Sequence, residues 1–193
     1  MRMDSAIPSM ARPRLLVIAG PNGSGKTTAT RGISIVGTYV NADDIKTATG
    51  CSDLEAAQMA EHLREHLLEA TADFTFETVL STDRNLDLIR RANAAGYEIT
   101  AVFVLTVDAS INVARVRARV ASGGHFVPED KIRSRYERSL INIPTLIDIC
   151  DTTIIIDNTR ESPALIFARD ASGQVIESTP DWSEQRIRRL IST

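Results

Sequence analysis

The sequence is poor in cysteine, lysine and aromatic residues, and it has no long apolar run. Only two of its 193 residues are cysteines, Cys51 and Cys150, and they form no CxxC pair. This excludes a cysteine metal cage or a disulfide framework and favours a reducing compartment, the cytoplasm. No stretch reaches the roughly 18 apolar residues of a membrane span, so no membrane segment is expected. No run of aromatic residues is present that could stack the bases of a nucleic acid strand.

Arginine supplies nearly all of the positive charge, with 19 arginines against 3 lysines. The formal net charge is −3, so the chain has no global cationic field for nucleic acid or anionic lipid. Neither is therefore expected as a partner. Arginine binds phosphate groups in a bidentate geometry, which makes the local placement of the arginines more informative than their number.

Short apolar runs alternate with helical patterns over residues 13–193. The continuous apolar run at 14–19 is typical of a parallel strand covered on both faces. Other elements are predicted as strands at 38–41, 74–78, 99–107 and 152–157, a terminal hairpin at 165–176, and a final helix opened by Thr179-Pro180. This order predicts a single α/β domain with three layers and a mainly parallel sheet.

The sequence also predicts the state of the two terminal segments. Residues 1–12 contain no apolar run of the 7–15 residues that a signal peptide needs, so they are predicted to be a flexible leader. At the other end, the segment 182–190 is expected to pack on the core of its own chain, with a partner protein as the alternative.

Residues 20–27 match the phosphate-binding pattern G-x-x-x-x-G-K-[ST], between a predicted strand and a predicted helix. Glycines let backbone amides approach an anion closely, and the helix start adds its positive dipole end. Lys26 is expected to neutralise the β- and γ-phosphates of ATP, and the Thr27 hydroxyl to bind Mg²⁺. With the predicted sheet, this motif indicates the three-layer fold of P-loop NTPases and kinases. The nucleotide-binding residues predicted here are Gly20, Pro21, Asn22, Gly23, Ser24, Gly25, Lys26, Thr27 and Thr28.

Acidic residues follow two of the predicted strands, where ligands of open α/β sheets bind. Asp43 and Asp44 come after the second strand; either could accept a proton from an attacking hydroxyl, and the other could cap the next helix. We interpret Asp43 as the base and Asp44 as the cap, although spacing alone does not separate them. Glu77 ends a strand with buried phenylalanines, so its carboxylate needs a partner, and with Thr78 it is a candidate substrate contact.

Six arginines and Lys131 lie between Arg115 and Arg138. At about 100° per residue, Arg115 and Arg119 share one helical face, and Lys131, Arg135 and Arg138 share another. A glycine-containing loop at 121–128 joins the two, which predicts a mobile lid over about 115–140 that closes on phosphates. The alternative is a solvated basic surface. Arg119 and Arg135 are the predicted phosphate contacts of this lid.

Two further polar positions have open interpretations. His125, in the glycine-containing loop, could contact phosphate or substrate, or it could only cap the loop. The Asp157-Asn158 pair follows a strand end, where it could lie near the adenine or form a capping turn.

The chain resembles the zeta-toxin family of P-loop kinases, in its short stand-alone branch, over about residues 14–158. Five segments in order carry this resemblance: Ala-Gly-Pro-Asn-Gly-Ser-Gly-Lys-Thr-Thr (19–28), Asn-Ala-Asp-Asp-Ile (41–45), Phe-Glu-Thr-Val-Leu-Ser (76–81), Arg-Val-Ala-Ser-Gly-Gly-His-Phe-Val-Pro (119–128) and Arg-Tyr-Glu-Arg-Ser-Leu-Ile-Asn (135–142). The phosphate loop is common to many enzymes, whereas the ordered set of five segments is much more specific.

The resemblance implies ATP·Mg²⁺-dependent phosphorylation of a sugar hydroxyl, which in the toxins belongs to a UDP-N-acetyl amino sugar. By position, Asp43 matches the catalytic base of the family, Glu77 an acid that contacts substrate, and Arg119 a lid arginine. The second lid arginine of the family is replaced here by His125, and Arg135 is a candidate to supply the missing charge. The toxins have a longer substrate-binding half, so a different acceptor is conceivable for this compact chain. A small antitoxin partner is implied by the resemblance alone.

Two other functions are compatible with a phosphate loop. A regulatory NTPase switch would hydrolyse nucleotide slowly and act on a protein partner, but an arginine lid that excludes water favours transfer. A nucleotide or polynucleotide kinase would suit the arginines, but the sequence has no aromatic platform for bases.

Overall fold

The structure, a computed structural model, describes residues 11–124 and 126–192. Its strands are β1 (Arg14–Ala19), β2 (Thr38–Val40), β3 (Phe74–Thr78), β4 (Glu98–Leu105), β5 (Thr152–Asp157), β6 (Ala164–Asp170) and β7 (Gly173–Ile176). They form one sheet in the order β2-β3-β1-β4-β5-β6-β7. The first five in this order run parallel, and β6 and β7 add an antiparallel hairpin at one edge. The predicted mainly parallel α/β sheet is confirmed.

Eight helices are present in the described residues. They are α1 (Lys26–Ala29), α2 (Ala42–Thr49), α3 (Asp53–Glu69), α4 (Asp83–Ala94), α5 (Ala109–Ala121), α6 (Glu129–Ile141), α7 (Ile143–Ile149) and α8 (Glu184–Ile191). Ser52 and Glu55 form a capping box that starts the long α3. None of these helices combines the length and the apolar character that crossing a membrane would require.

The two faces of the sheet are covered unequally. Successive strand residues point to opposite faces, so Leu15 and Val17 lie in the larger core cluster, which also contains buried residues of α3, α4, α7 and α8. Leu16 and Ile18 point the other way, into a smaller cluster covered by α1 and by the segment that follows it. The fold therefore has the three predicted layers, one of them thin.

The C-terminal segment packs on its own core, but its helix begins later than predicted. Thr179 and Trp182 exchange backbone hydrogen bonds in a tight turn around Pro180. Ser183 then caps α8, which is therefore not opened by Thr179-Pro180. Trp182 is 1% exposed, and Ile187 is completely buried in the larger core.

Most of the predicted leader, residues 1–10, lies outside the described residues. Arg12 is described, and its Nε donates to Gly96 O at 3.0 Å. Its guanidinium also pairs with Asp151, at 3.2 Å between Nη1 and Oδ1. These contacts tie the chain to the amino-terminal edge of the sheet just before β1.

Candidate functional site

The phosphate loop leaves the carboxyl end of β1, between the ends of β3 and β4. Ala19 is in register with Thr78 on one side and with Phe103 on the other. In the described part of the chain, the amides of Gly23, Gly25, Lys26 and Thr27 donate to no carbonyl. The helix that follows has four residues, so these free amides rather than a long helix dipole present positive charge to an anion.

Three glycines let the outer side of this loop pack closely against the rest of the fold. Gly20, Gly23 and Gly25 have φ angles of 142°, 79° and 82°. A Cβ built on Gly20 would lie 2.1 Å from Val104 O, and one on Gly25 would lie 2.2 Å from Asn158 Nδ2. Only glycine fits so close an approach, which leaves the inner side of the loop open as a cradle for phosphates.

We expect Gly25→Ala to unfold more easily than a matched variant, Gly50→Ala. Both glycines have left-handed φ angles, 82° and 71°, but a Cβ on Gly50 meets no atom within 4 Å. Gly50→Ala should therefore lose only the left-handed backbone preference, about 1–2 kcal/mol. Gly25→Ala should lose more of the free energy of unfolding, and it should also bind ATP more weakly. Urea unfolding and ATP titration of both variants test this, and equal losses in the two would contradict it.

The loop forms one wall of a cavity of about 710 Å³. The predicted site residues that line it are Asn22, Gly23, Gly25, Lys26, Thr27, Thr28, Asp43, Glu77, Thr78, Arg119 and Arg135. Gly20, Pro21 and Ser24 are buried behind the loop surface, and the Ser24 hydroxyl has no hydrogen-bond partner within the described residues. His125 lies outside the described residues. The tertiary structure thus brings most of the predicted residues to one cavity.

Lys26 and Glu77 form the electrostatic centre of the cavity. The Lys26 ammonium donates to Gly20 O at 2.9 Å. Burial lowers its pKa, and the carboxylates of Glu77 and Asp43 oppose that decrease. Burial likewise raises the pKa of Glu77, while Lys26 opposes the rise and Asp43 adds to it. Each group is thus desolvated, and the charge of the other only partly offsets this.

The strand register explains the partner of Glu77. Val40 pairs with Phe76, which places Asn41 beside Glu77 at the carboxyl ends of β2 and β3. Asn41 Nδ2 donates to Glu77 Oε2 at 2.7 Å. The sequence predicted that this carboxylate needs a partner; the Asn41 amide is its hydrogen-bond partner, and the Lys26 ammonium acts on it through its charge. Thr78 also lines the cavity, but its Oγ1 accepts hydrogen bonds from Leu80 N at 2.9 Å and from Asn85 Nδ2 at 2.7 Å.

The adjacent residues Asp43 and Asp44 have different positions relative to the cavity. Asn41, not Asp44, is the cap of α2, because its Oδ1 accepts from Asp43 N at 2.8 Å. The expectation that Asp44 caps this helix is wrong, because the helix begins at Ala42 and Asp44 already lies in its first turn. Asp43 lines the cavity, whereas Asp44 is not among the residues that line it.

Glu77→Gln is expected to raise the melting temperature at neutral pH. Since burial raises the Glu77 pKa from its ordinary 4.5, the ionised carboxylate is less favourable in the folded chain than in the unfolded one. The wild type takes up a proton as the pH falls, so the advantage of the glutamine should vanish below about pH 4.5. Thermal melts across this range check it, with exposed Glu161→Gln as the control. A lower melting temperature for Glu77→Gln at pH 7 would contradict the prediction.

The basic segment forms a small helical unit beside the loop. α5 and α6 pack through Val113, Val116, Val127 and Ile132, in a cluster separate from the main core. The residues of this unit that line the cavity through a charged side chain are Arg115, Arg119, Lys131 and Arg135. A small separate core of this kind is compatible with movement as a lid.

The helical period places Arg117 and Arg133 off the two basic faces, and neither lines the cavity. Arg117 and Arg133 both pair with Glu129, the latter at 2.8 Å between Nη2 and Oε1. Arg138 was grouped with the basic face, but its Nε donates to Ser134 O at 3.3 Å and it does not line the cavity. Arg135 links this helical unit to the loop, because its Nη1 donates to Asn22 Oδ1 at 3.3 Å.

Two asparagines contact the back of the loop, and the sequence did not predict these contacts. Asn112 Nδ2 donates to Asn22 O at 2.8 Å, and Asn158 Nδ2 donates to Ser24 O at 2.7 Å. The sequence leaves two interpretations open for the Asp157-Asn158 pair, a contact near the adenine or a capping turn. The turn belongs to its neighbour Asp157, whose Oδ1 accepts from Thr159 N at 3.0 Å. No local pattern marked Asn112, because it shares its helical face with Arg115, Val116 and Arg119.

Comparison with known proteins identifies the family. Residues 37–171, about 70% of the chain, match the family model of the Zeta toxin. The chain belongs to the zeta toxin family. An uncharacterized protein of Haemophilus influenzae is also similar, at 28% identity over 129 residues, which are 64% of this chain and 92% of that protein.

Solved structures show the same fold at low sequence identity. AvrRxo1-ORF1, in its complex with AvrRxo1-ORF2 and sulfate ions, has a TM-score of 0.70 at 16% identity. That comparison covers 94% of this chain and 64% of the other, so this chain spans less than two thirds of that protein. The same complex with ATP gives a TM-score of 0.67 at 16% identity, with the same coverage. The PezAT toxin–antitoxin system of Streptococcus pneumoniae gives 0.55 at 17% identity, over 80% of this chain and 72% of that one. The fold is that of the P-loop kinases.

Proposed function

We propose that this member of the zeta toxin family is an ATP-dependent kinase that moves the γ-phosphoryl group to a hydroxyl of a small molecule. Membership of the family supports the reaction class. The observation that carries the proposal is the cavity itself, in which the loop of Lys26 and Thr27 faces Asp43 and Glu77 under the arginines of the lid. Phosphoryl transfer needs this combination of an anion cradle, a nearby base and movable positive charge.

The donor side of the site consists of the phosphate loop. The free amides of Gly23, Gly25 and Lys26, with the Lys26 ammonium, would hold the phosphates of ATP. The Thr27 hydroxyl lines the same cavity and is the residue that would hold Mg²⁺, which, when bound, neutralises charge on the β- and γ-phosphates. The described residues contain no group of three acidic, histidine or cysteine side chains that could hold a metal by themselves. Thr27 would then share the ion with phosphates and water, the usual environment of Mg²⁺.

The acceptor side consists of acids and lid residues. Asp43 would accept the proton of the attacking hydroxyl, and Glu77, oriented by Asn41, would hold a neighbouring polar group of the acceptor. Thr78 would border the acceptor, and His125 stays a predicted substrate contact outside the described residues. Arg119 and Arg135 would close over the transferred group, stabilise its charge and exclude water, so that the hydroxyl rather than water attacks.

A nucleotide sugar is the first acceptor class to test, because family resemblance implies a UDP-N-acetyl amino sugar. The test is a screen of nucleotide sugars, free sugars and other cell metabolites for phosphate uptake from labelled ATP, with Lys26→Ala as the blank. We expect uptake by at least one hydroxyl compound and none in the blank. Steady ATP hydrolysis that no acceptor changes would instead favour the regulatory NTPase.

We also propose that the chain is the toxin of a toxin–antitoxin pair, with a small antitoxin protein as its partner. AvrRxo1-ORF1 is seen with AvrRxo1-ORF2, and PezAT is a toxin–antitoxin system. Growth arrest on expression of the wild type, but not of Lys26→Ala, is the expected result. Normal growth in both cases would remove the toxin assignment without affecting the kinase assignment.

A further inference from the structure

Two asparagine side chains hold the outer side of the phosphate loop. Asn112 on α5 is completely buried, and Asn158 after β5 is 5% exposed. Their Nδ2 atoms donate to the carbonyls of Asn22 and Ser24, at 2.8 Å and 2.7 Å. Neither asparagine lines the cavity. Any effect they have on a bound phosphate must therefore act through the backbone of the loop.

Each of these carbonyls belongs to the same peptide plane as an amide that faces the cavity. All described peptide bonds are trans, so C=O and N–H of one plane point in opposite directions. A bond that draws the Asn22 carbonyl outward turns the Gly23 amide inward. The Ser24 carbonyl and the Gly25 amide form the second such plane. Glycine has no Cβ to restrict rotation of these planes, so an outside contact is needed to select one orientation.

The amide of Asn112 is itself oriented. Its Oδ1 contacts the Thr106 hydroxyl, which leaves Nδ2 directed at the loop. The Tyr136 hydroxyl donates to Thr106 O at 2.7 Å, which adds a residue of α6 to the same buried network. At the second plane, Arg115 Nη1 also approaches Ser24 O, but at 3.4 Å it is a longer contact than that of Asn158.

We propose that Asn112 and Asn158 are positioning residues that orient the 22–23 and 24–25 peptide planes, so that the Gly23 and Gly25 amides face a bound polyphosphate. The identity of that polyphosphate as ATP rests on the proposed function. The pairing is specific: Asn112 controls the Gly23 amide, and Asn158 controls the Gly25 amide. A purely structural role for either asparagine would not produce this one-to-one correspondence.

Asn112→Asp and Asn158→Asp test the pairing. A carboxylate has the shape of the amide but no donor, so it repels the loop carbonyl and attracts the N–H of the same plane. Amide NMR shifts of Gly23 and Gly25 are recorded with inorganic pyrophosphate and Mg²⁺. Both should respond in the wild type, only Gly25 in Asn112→Asp, and only Gly23 in Asn158→Asp. Pyrophosphate affinity should fall about tenfold or more in each variant.

Asn142→Asp is the matched control. Asn142 Nδ2 donates to Leu80 O at 2.8 Å, which is also a bond from an asparagine to a distant backbone carbonyl, but Leu80 lies outside the phosphate loop. This variant should keep the wild-type pyrophosphate affinity and both amide responses. If an aspartate variant fails to fold, Asn112→Ala and Asn158→Ala remove the same donors without adding charge and should give the same pattern.

Three results would each overturn the inference. The first is wild-type pyrophosphate affinity in both aspartate or both alanine variants, the second is equal responses of the two glycine amides in each variant, and the third is an absent amide response in the wild type. The measurement needs no phosphoryl transfer. If the pairing is found but no acceptor is phosphorylated, the kinase proposal fails while the role of the asparagines stands.

Discussion

Asp43→Asn is expected to lose phosphoryl transfer by about 10²–10⁴-fold while ATP binding is retained, since the substitution removes a general base and little else. The Asp43 side chain lines the cavity, and its backbone N–H, which α2 needs for its cap, is unchanged by the substitution. Asparagine also has the shape of aspartate. Initial rates with a saturating acceptor and ATP affinity by calorimetry measure the two effects separately.

Asp44→Asn is the control for this variant. Asp44 is the next residue of the same helical turn, but it does not line the cavity. Its substitution by asparagine removes the same negative charge as Asp43→Asn. It should keep a rate within a few-fold of the wild type. Acceptor phosphorylation that persists at the wild-type rate in Asp43→Asn would remove Asp43 from the mechanism, and Asp44 would then be the acid to test.

Lys26→Met should produce the second large effect, a loss of about 10²–10³-fold in transfer rate, because it removes the ammonium that stabilises charge on the transferred group. Burial lowers the pKa of Lys26, so the folded chain gains little from this charge, and methionine keeps most of the side-chain volume. We therefore expect the melting temperature to stay within about 4 °C of the wild type, the shift that about 1 kcal/mol produces at this chain length. Weaker ATP binding should accompany the lost rate.

Lys46→Met is the control for Lys26→Met, because it also replaces a lysine by methionine but at a different place in the protein. Lys46 pairs with Asp53 at 2.6 Å on the protein surface and is not part of the phosphate loop. It should bind ATP as the wild type does. Unchanged ATP affinity and unchanged transfer in Lys26→Met would contradict the donor side of the proposed site, whatever the acceptor.

The basic helices α5 and α6 show how far periodicity predicts a surface. A period of about 100° per residue separated Arg115 and Arg119 from Arg117, and the structure keeps that division. Periodicity failed for Arg138, which shares the helical face of Arg135 but lies beyond the cavity edge. A helical face specifies a direction from the axis, whereas a cavity ends at a particular distance along it.

Element boundaries failed where two local signals competed. Thr179-Pro180 and Ser183 are both acceptable helix starts, and the first is used for a turn that buries Trp182. In the same way, Asn41, Asp43 and Asp44 could each cap a helix. The choice fell to Asn41 because β2 ends at Val40 and its pairing with β3 fixes where the chain turns. In both places, packing between segments decided among near-equal local preferences.

The sequence by itself determined the phosphate loop, the strands at 14–19, 74–78 and 152–157, and the basic character of the lid. These depend on interactions between residues close in the chain: glycine conformations, continuous apolar runs and helical periodicity. Only the tertiary structure decided that Asp43 shares a cavity with Lys26, that Asn41 holds Glu77, and that Asn112 and Asn158 lie behind the loop. Asn112 and Asn22 are 90 residues apart, and Asn158 and Ser24 are 134 apart. No local pattern encodes such contacts, because they exist only once the strands have paired and brought distant segments together.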